Sequence, residues 1–240
     1  MNNLTRSAGK ILPLLVVSTS LVLAGCSDND HDASTPPTPA PDRVFSVTVT
    51  NLTANQPMSP IALLAVDKDY RPWQTGASAS SALEQLAESG DSAGFQVEAG
   101  SISSVIAGTG ILAPGASETL TMTLADDSVA SMSLLTMLVN TNDAFSGLNN
   151  INLDGINVGE TQRIMTAVYD AGTEANSELK GTIPGPADGG EGFNAARDDV
   201  DRVHLHPGVI SHDDGLIDSV LNASHRFDNP ALRITLTRSQ

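Results

Sequence analysis

The residues of this chain best arranged to do chemistry are two carboxylates on either side of a tight turn: Asp170 and Glu174 flank Ala171-Gly172-Thr173. Glycine reaches the backbone conformations that a sharp reversal needs, so this turn can aim both acids at one point. Asp143, in Asn140-Thr141-Asn142-Asp143, can join them from a neighbouring loop. Carboxylates held together repel unless a cation lies among them. Calcium is the ion that selects such oxygens, in a flexible shell at about 2.3–2.6 Å. The competing reading is an Asp-Gly turn whose acids are solvated, and the spacing alone fits that reading better. Asp198, Asp199 and Asp201 offer either a second cation position or a solvated run of charge. His204 and His206 stand two apart on a strand-like segment and share a face. They suit zinc, or else a sheet edge and a cap for the Pro207-Gly208 turn. There is no Gly-x-Ser-x-Gly elbow and no phosphate-binding glycine motif, so the chain is read as a non-enzyme.

Cys26 is the one cysteine of the chain. Ahead of it, Arg6 and Lys10 precede an apolar run from Ile11 to Leu23, and Leu23-Ala24-Gly25-Cys26 closes the stretch. The run is short for a membrane span and in the range of export signals. The whole resembles a bacterial lipoprotein signal. That resemblance implies cleavage before Cys26, a lipid on its sulfur and usually a further acyl chain on its amino group, enough to hold a protein on a membrane. Ser27, rather than Asp, favours the outer membrane in a cell that has one. Residues 1–25 are thus read as a signal peptide and 26–42 as an acylated cysteine with a tether stiffened by Pro36, Pro37, Pro39 and Pro41. Residues 43–240 remain for a folded domain facing the periplasm or cell surface.

Composition narrows the partners. With 12 Lys and Arg against 28 Asp and Glu the formal charge is −16, and two of the cations lie in the leader. Such a chain repels phosphate backbones, which excludes nucleic acid as a partner. Aromatic residues make up 3%, too few for a broad aromatic sugar platform. With Cys26 acylated no disulfide forms, so stability falls to the core, to hydrogen bonds or to a bound ion.

The elements that must hold these residues are strands. Phe45, Val47 and Val49 alternate with Ser46, Thr48 and Thr50; Leu120, Met122 and Leu124 alternate with Thr119, Thr121 and Thr123; Leu232, Ile234 and Leu236 alternate with Arg233, Thr235 and Thr237. Each pattern marks a strand with one wet face. Ile61–Val66 is an unbroken apolar run, expected at the centre of a sheet, and Leu134–Val139, interrupted only by Thr136, is another run expected to be buried. Arg163–Tyr169 and Val203–His206 read as strands. A short helix is expected over Ser80–Glu88, ended by Gly90, and a helical turn over Leu216–Leu221. Gly181–Gly192, rich in Gly and Pro, is expected to be a mobile loop.

Five segments in order carry a resemblance: Ala82–Asp91, Leu112–Ser117, Met137–Phe145, Tyr169–Glu178 and Phe227–Thr235. Together they resemble the spondin domain of extracellular-matrix proteins and bacterial exported proteins, over nearly the whole mature chain. The resemblance implies an all-β, eight-stranded antiparallel β-sandwich with one or two short helices. It also implies a calcium site drawn from two loops, whose ligands map onto Asp143, Asp170 and Glu174; the eukaryotic pattern has Asp where this chain has Glu174. The function expected from these observations is a lipid-anchored, calcium-binding envelope protein acting in recognition or adhesion. Its partners are the membrane, through Cys26, and an unidentified extracellular or envelope macromolecule. A metal- or carboxylate-dependent hydrolase and a structural lipoprotein without ligand are the alternatives.

Overall fold

Alternation of apolar and hydroxyl side chains along three strands gives the molecule its first sheet. In a computed structural model, which describes residues 41–98, 100–125 and 131–240, the strands β1 (Arg43–Asn51), β4 (Ser117–Leu124), β7 (Thr161–Thr166) and β10 (Leu232–Arg238) pair in the order β4-β1-β10-β7, all antiparallel. Their inward residues, among them Phe45, Val47, Met122, Ile234 and Leu236, are buried. Their outward residues form cross-strand rows. Thr119, Thr48, Thr235 and Arg163 stand side by side in one row, and Ser117, Thr50, Arg233 and Met165 in the next. Hydroxyls close hydrogen bonds across the strands, Thr48 to Thr119 at 2.8 Å, Thr50 to Ser117 at 2.8 Å and Thr161 to Thr237 at 2.9 Å. Such pairs are the units that stabilise a sheet face.

The second sheet is covered on both sides at its middle, where the strands are buried along their length. It runs β3-β2-β5-β6-β8-β9, from β3 (Ile102–Ala107), β2 (Ala62–Val66), β5 (Ser131–Met137), β6 (Ala144–Asn152), β8 (Val168–Asp170) and β9 (His204–Leu205). All five residues of β2 and all seven of β5 are buried. One face supplies Leu63, Ala65, Met132 and Leu134 to the core shared with the first sheet. The other supplies Ala62, Leu64, Leu135 and Phe145 to a second core beneath helix α1 (Ser81–Ser89) and Trp73. Trp73 meets Phe145 edge-on, ring centres 5.3 Å apart, and Phe145 stacks on Tyr169 at 5.6 Å. Burying a large side chain stabilises by about 1.5–3 kcal/mol, so these two cores dominate the folding energy.

The all-β sandwich expected from sequence is present, with ten strands among the described residues, two of them only three and two residues long. Helix α1 starts one residue later than expected, because Ser80 is its cap: the Ser80 hydroxyl accepts from the Leu83 N–H at 3.2 Å. Gly90 ends it at φ 74°, where its N–H reaches Leu86 O. Two expectations are corrected. Leu216–Leu221 is not helical; it is a turn tied to residue 179 by the Leu179–Ser219 bridge. Gly181–Gly192 is a packed loop: Ile183 is fully buried, and the Ala187 N–H donates to Asn140 Oδ1 at 3.0 Å. Beneath it lies a third small core of Ile183, Val209 and Leu221. Buried Glu178 fastens this region, accepting from the Ile210 N–H at 2.9 Å and the Ser219 hydroxyl at 2.7 Å. Among the described residues no helix is long and apolar enough to cross a membrane. The leader, Cys26 and the tether as far as residue 40 lie outside the described residues.

Candidate metal centre

Register brings the site together at one end of the second sheet. Asp143 is the last residue before β6, and β6 begins with Ala144, which pairs with Asp170 at the end of β8. Asp170 in turn pairs with His204 at the start of β9. Thr141 builds the turn before Asp143: its hydroxyl donates to Leu138 O at 2.6 Å and accepts from the Ala144 N–H at 3.1 Å. Asp143 and Asp170 are both fully buried.

Asp170 is fixed by its own turn. Oδ1 accepts from the Gly172 N–H at 2.8 Å, and Oδ2 accepts from Asn176 Nδ2 at 2.6 Å. Gly172 has φ 71°, and a Cβ there would lie 2.3 Å from Arg202 O, so both conformation and space require glycine. The chain after residue 197 lies over this turn. The Asp201 N–H donates to Gly172 O at 2.8 Å and the Asp198 N–H to Thr173 O at 3.1 Å. Arg197 holds the overlying loop to α1, with Nε and Nη2 on the two Glu84 carboxylate oxygens at 3.0 and 2.8 Å. Through this loop Asp199 arrives beside Asp170 and His204, each of the three offering a ligand atom within 4.8 Å of the others.

Asp143 sits against this group. Its Oδ2 accepts from the Thr173 N–H at 2.9 Å and the Glu174 N–H at 3.2 Å. Its Oδ1 is buried and has no hydrogen-bond partner. Burial pushes the Asp143 carboxyl up to about 8; the charges of Asp170 and Asp199 add to the rise and the two N–H groups oppose it. His204 Nδ1 lies 3.5 Å from Asp170 Oδ1, also without a closed hydrogen bond. His206 is neutral: burial lowers it to about 4, against the pull of Asp170. Its Nδ1 accepts from the Gly208 N–H at 2.9 Å, so Nε2 carries the proton and donates to Asn176 Oδ1 at 3.1 Å.

The three sequence-predicted acids do not share one point. Asp143 and Asp170 are electrostatic neighbours. Glu174 is half-buried and turns aside: its Oε1 accepts from Asn142 Nδ2 at 3.2 Å, and the carboxylates that act on it are Glu88, Asp198 and Glu191. Burial and these charges push it up to about 7. Sequence spacing offers Asp199 a second cation position or a charge run, and His204 a zinc pair or a sheet edge. The β8–β9 pairing brings His204 to Asp170, and the hydrogen bonds of the overlying loop, between residues far apart in sequence, bring Asp199.

An oxygen-binding cation fits this arrangement. Buried acids in low dielectric must be neutralised or paired, and Asp143 Oδ1 is an orphaned buried acceptor beside two further carboxylates. Asp143, Asp170 and Asp199 are the hard oxygen donors that calcium takes, while the His204 nitrogen is a poorer donor for it.

No curated protein matches the chain. Residues 39–181 match the family model described as Spondin_N, which takes in Asp143, Asp170 and Glu174 and stops short of Asp199 and His204. With more than half of its length under that match, the chain belongs to the Spondin_N family.

Proposed function

We propose that this protein is an exported, lipid-anchored recognition or adhesion module whose spondin domain binds calcium at the Asp170 end of its second sheet. The observation that carries the reading is Asp143 Oδ1, buried and unpartnered beside the charges of Asp170 and Asp199. In this reading Asp143, Asp170 and Asp199 supply carboxylate oxygens. Glu174 is the further ligand that the family resemblance implies, and its hydrogen bond to Asn142 would yield to the ion. Bound calcium neutralises acids that otherwise repel, and so ties together the loop before β6, the turn after β8 and the overlying loop. Cys26 holds the domain on the envelope membrane, and the loops are left to meet an outside macromolecule.

Melting curves in chelator and in calcium test the ion. A ligand at a hundredfold excess over Kd, binding only the folded state, adds about 2.7 kcal/mol. Calcium should therefore raise the melting temperature of the wild type, and Asp170→Ala should abolish the rise. Identical curves for the wild type in both conditions would refute the site. Comparing whole-cell adhesion of a deletion strain with its parent tests the role.

A further inference from the structure

The outward face of the first sheet differs from the rest of this acidic molecule. Its residues on β1, β4, β7 and β10 are nearly all Ser and Thr, with Arg163 and Arg233 in adjacent rows and no Asp or Glu among them. The two arginines are exposed and border a shallow depression of about 570 Å³ floored by Thr48, Thr50 and Thr235. Among the described residues neither arginine makes an ion pair. Arg233 Nη2 does no more than donate to Thr50 Oγ1 at 3.4 Å. In a chain with 12 cationic and 28 acidic side chains, two unpaired guanidinium groups on a carboxylate-free face are a local reversal of charge.

We propose that this face binds an acidic polysaccharide. Guanidinium groups match carboxylates and sulfates in paired hydrogen bonds. A regular array of hydroxyls, on strands about 4.8 Å apart, offers donors and acceptors to the hydroxyls of successive sugars. The scarcity of aromatic residues argues against stacking on neutral sugar rings, and recognition by charge and hydroxyl does not need it. An anionic bilayer fits the face less well. It would bring the whole acidic molecule against a negative plane, and Met165 is the one exposed apolar side chain that the face could insert. A polysaccharide chain contacts the reversed patch without bringing the whole acidic molecule against a negative plane.

Gel retardation of the full chain in mild detergent tests this, with polygalacturonate, dextran sulfate or neutral dextran cast in the gel. The anionic polymers should retard the protein and neutral dextran should not. Retardation by polygalacturonate alone assigns the face to carboxylates, and retardation by both assigns it to anionic sugars generally. Arg163→Ala with Arg233→Ala should weaken binding by about tenfold or more at unchanged melting temperature, since both side chains are exposed. Thr48→Val with Thr235→Val should weaken it without changing net charge. Absence of retardation, undiminished binding by the double arginine variant, equal retardation by neutral dextran, or sedimentation with phosphatidylglycerol vesicles in place of polymer binding would each overturn the proposal.

Discussion

Asp143 concentrates the chemistry of the site in one side chain. Three features meet there: complete burial, two backbone N–H groups on Oδ2, and an Oδ1 with nothing to bond. Burial and the neighbouring acids raise its folded pKa from 3.8 to about 8. An acid raised on folding contributes stability that is fully present below its unfolded pKa and is lost as pH rises through the folded pKa. In chelator, this side chain should make stability fall between about pH 4 and pH 8. Asn mimics the protonated acid: its oxygen can accept from Thr173 and Glu174, and its amide can face Asp170. Asp143→Asn should therefore be more stable than wild type in chelator at pH 8, should lose that part of the pH slope, and should gain nothing from calcium. Urea unfolding at pH 5 and pH 8, with and without calcium, reads all three. A variant less stable than wild type at pH 8 in chelator would show that Asp143 is not held in an ion-demanding environment.

At the scale of elements, the site depends on one turn and the loop that covers it. Gly172→Ala places a Cβ against the Arg202 backbone in a left-handed conformation. It should cost about 1–3 kcal/mol and weaken calcium binding, because the covering loop carries Asp199. Thermal melting and calcium titration of the variant measure both, and unchanged values would mean that the loop is not held by this turn. The turn itself was legible, since Gly172 between Asp170 and Glu174 marks a tight reversal, although the spacing alone did not distinguish an ion site from solvated acids. The first sheet was legible too, since one face is wet and each strand shows it, Thr119, Thr121 and Thr123 most plainly. Runs such as Leu134 to Met137 declared a strand buried on both faces. Other features left no local trace. Strand β3 is an edge with no clean alternation, since Ile102, Val105 and Ile106 are all half-buried. The polar end of β6 hides its pairing. The Gly- and Pro-rich 181–192 loop looked mobile because its anchors, Asn140 and the glycine-sized gap at Val139 O, lie far away in sequence. Asp199 meets Asp170 through the overlying loop's hydrogen bonds and His204 through the pairing of two very short strands, and no spacing rule encodes either.

At the scale of the whole molecule, the proposed function joins an acidic spondin domain to an envelope anchor and a calcium-binding end. If Cys26 is the anchor, Cys26→Ala should leave the protein unprocessed or released from detergent-extractable membrane, as cell fractionation and intact mass will show; the same mass and the same membrane fraction as wild type would contradict the anchor. The central claim is that folding has gathered carboxylates for calcium. Its most direct measurement is calorimetric titration of metal-stripped protein, with calcium and then magnesium in the syringe. The account predicts saturable calcium binding near one ion per chain, lost in Asp170→Ala and weakened in Asp199→Ala. It predicts poor replacement by magnesium, which demands a smaller, stricter octahedral shell. No heat of binding at millimolar calcium, in protein that is folded and demonstrably free of metal, would contradict it.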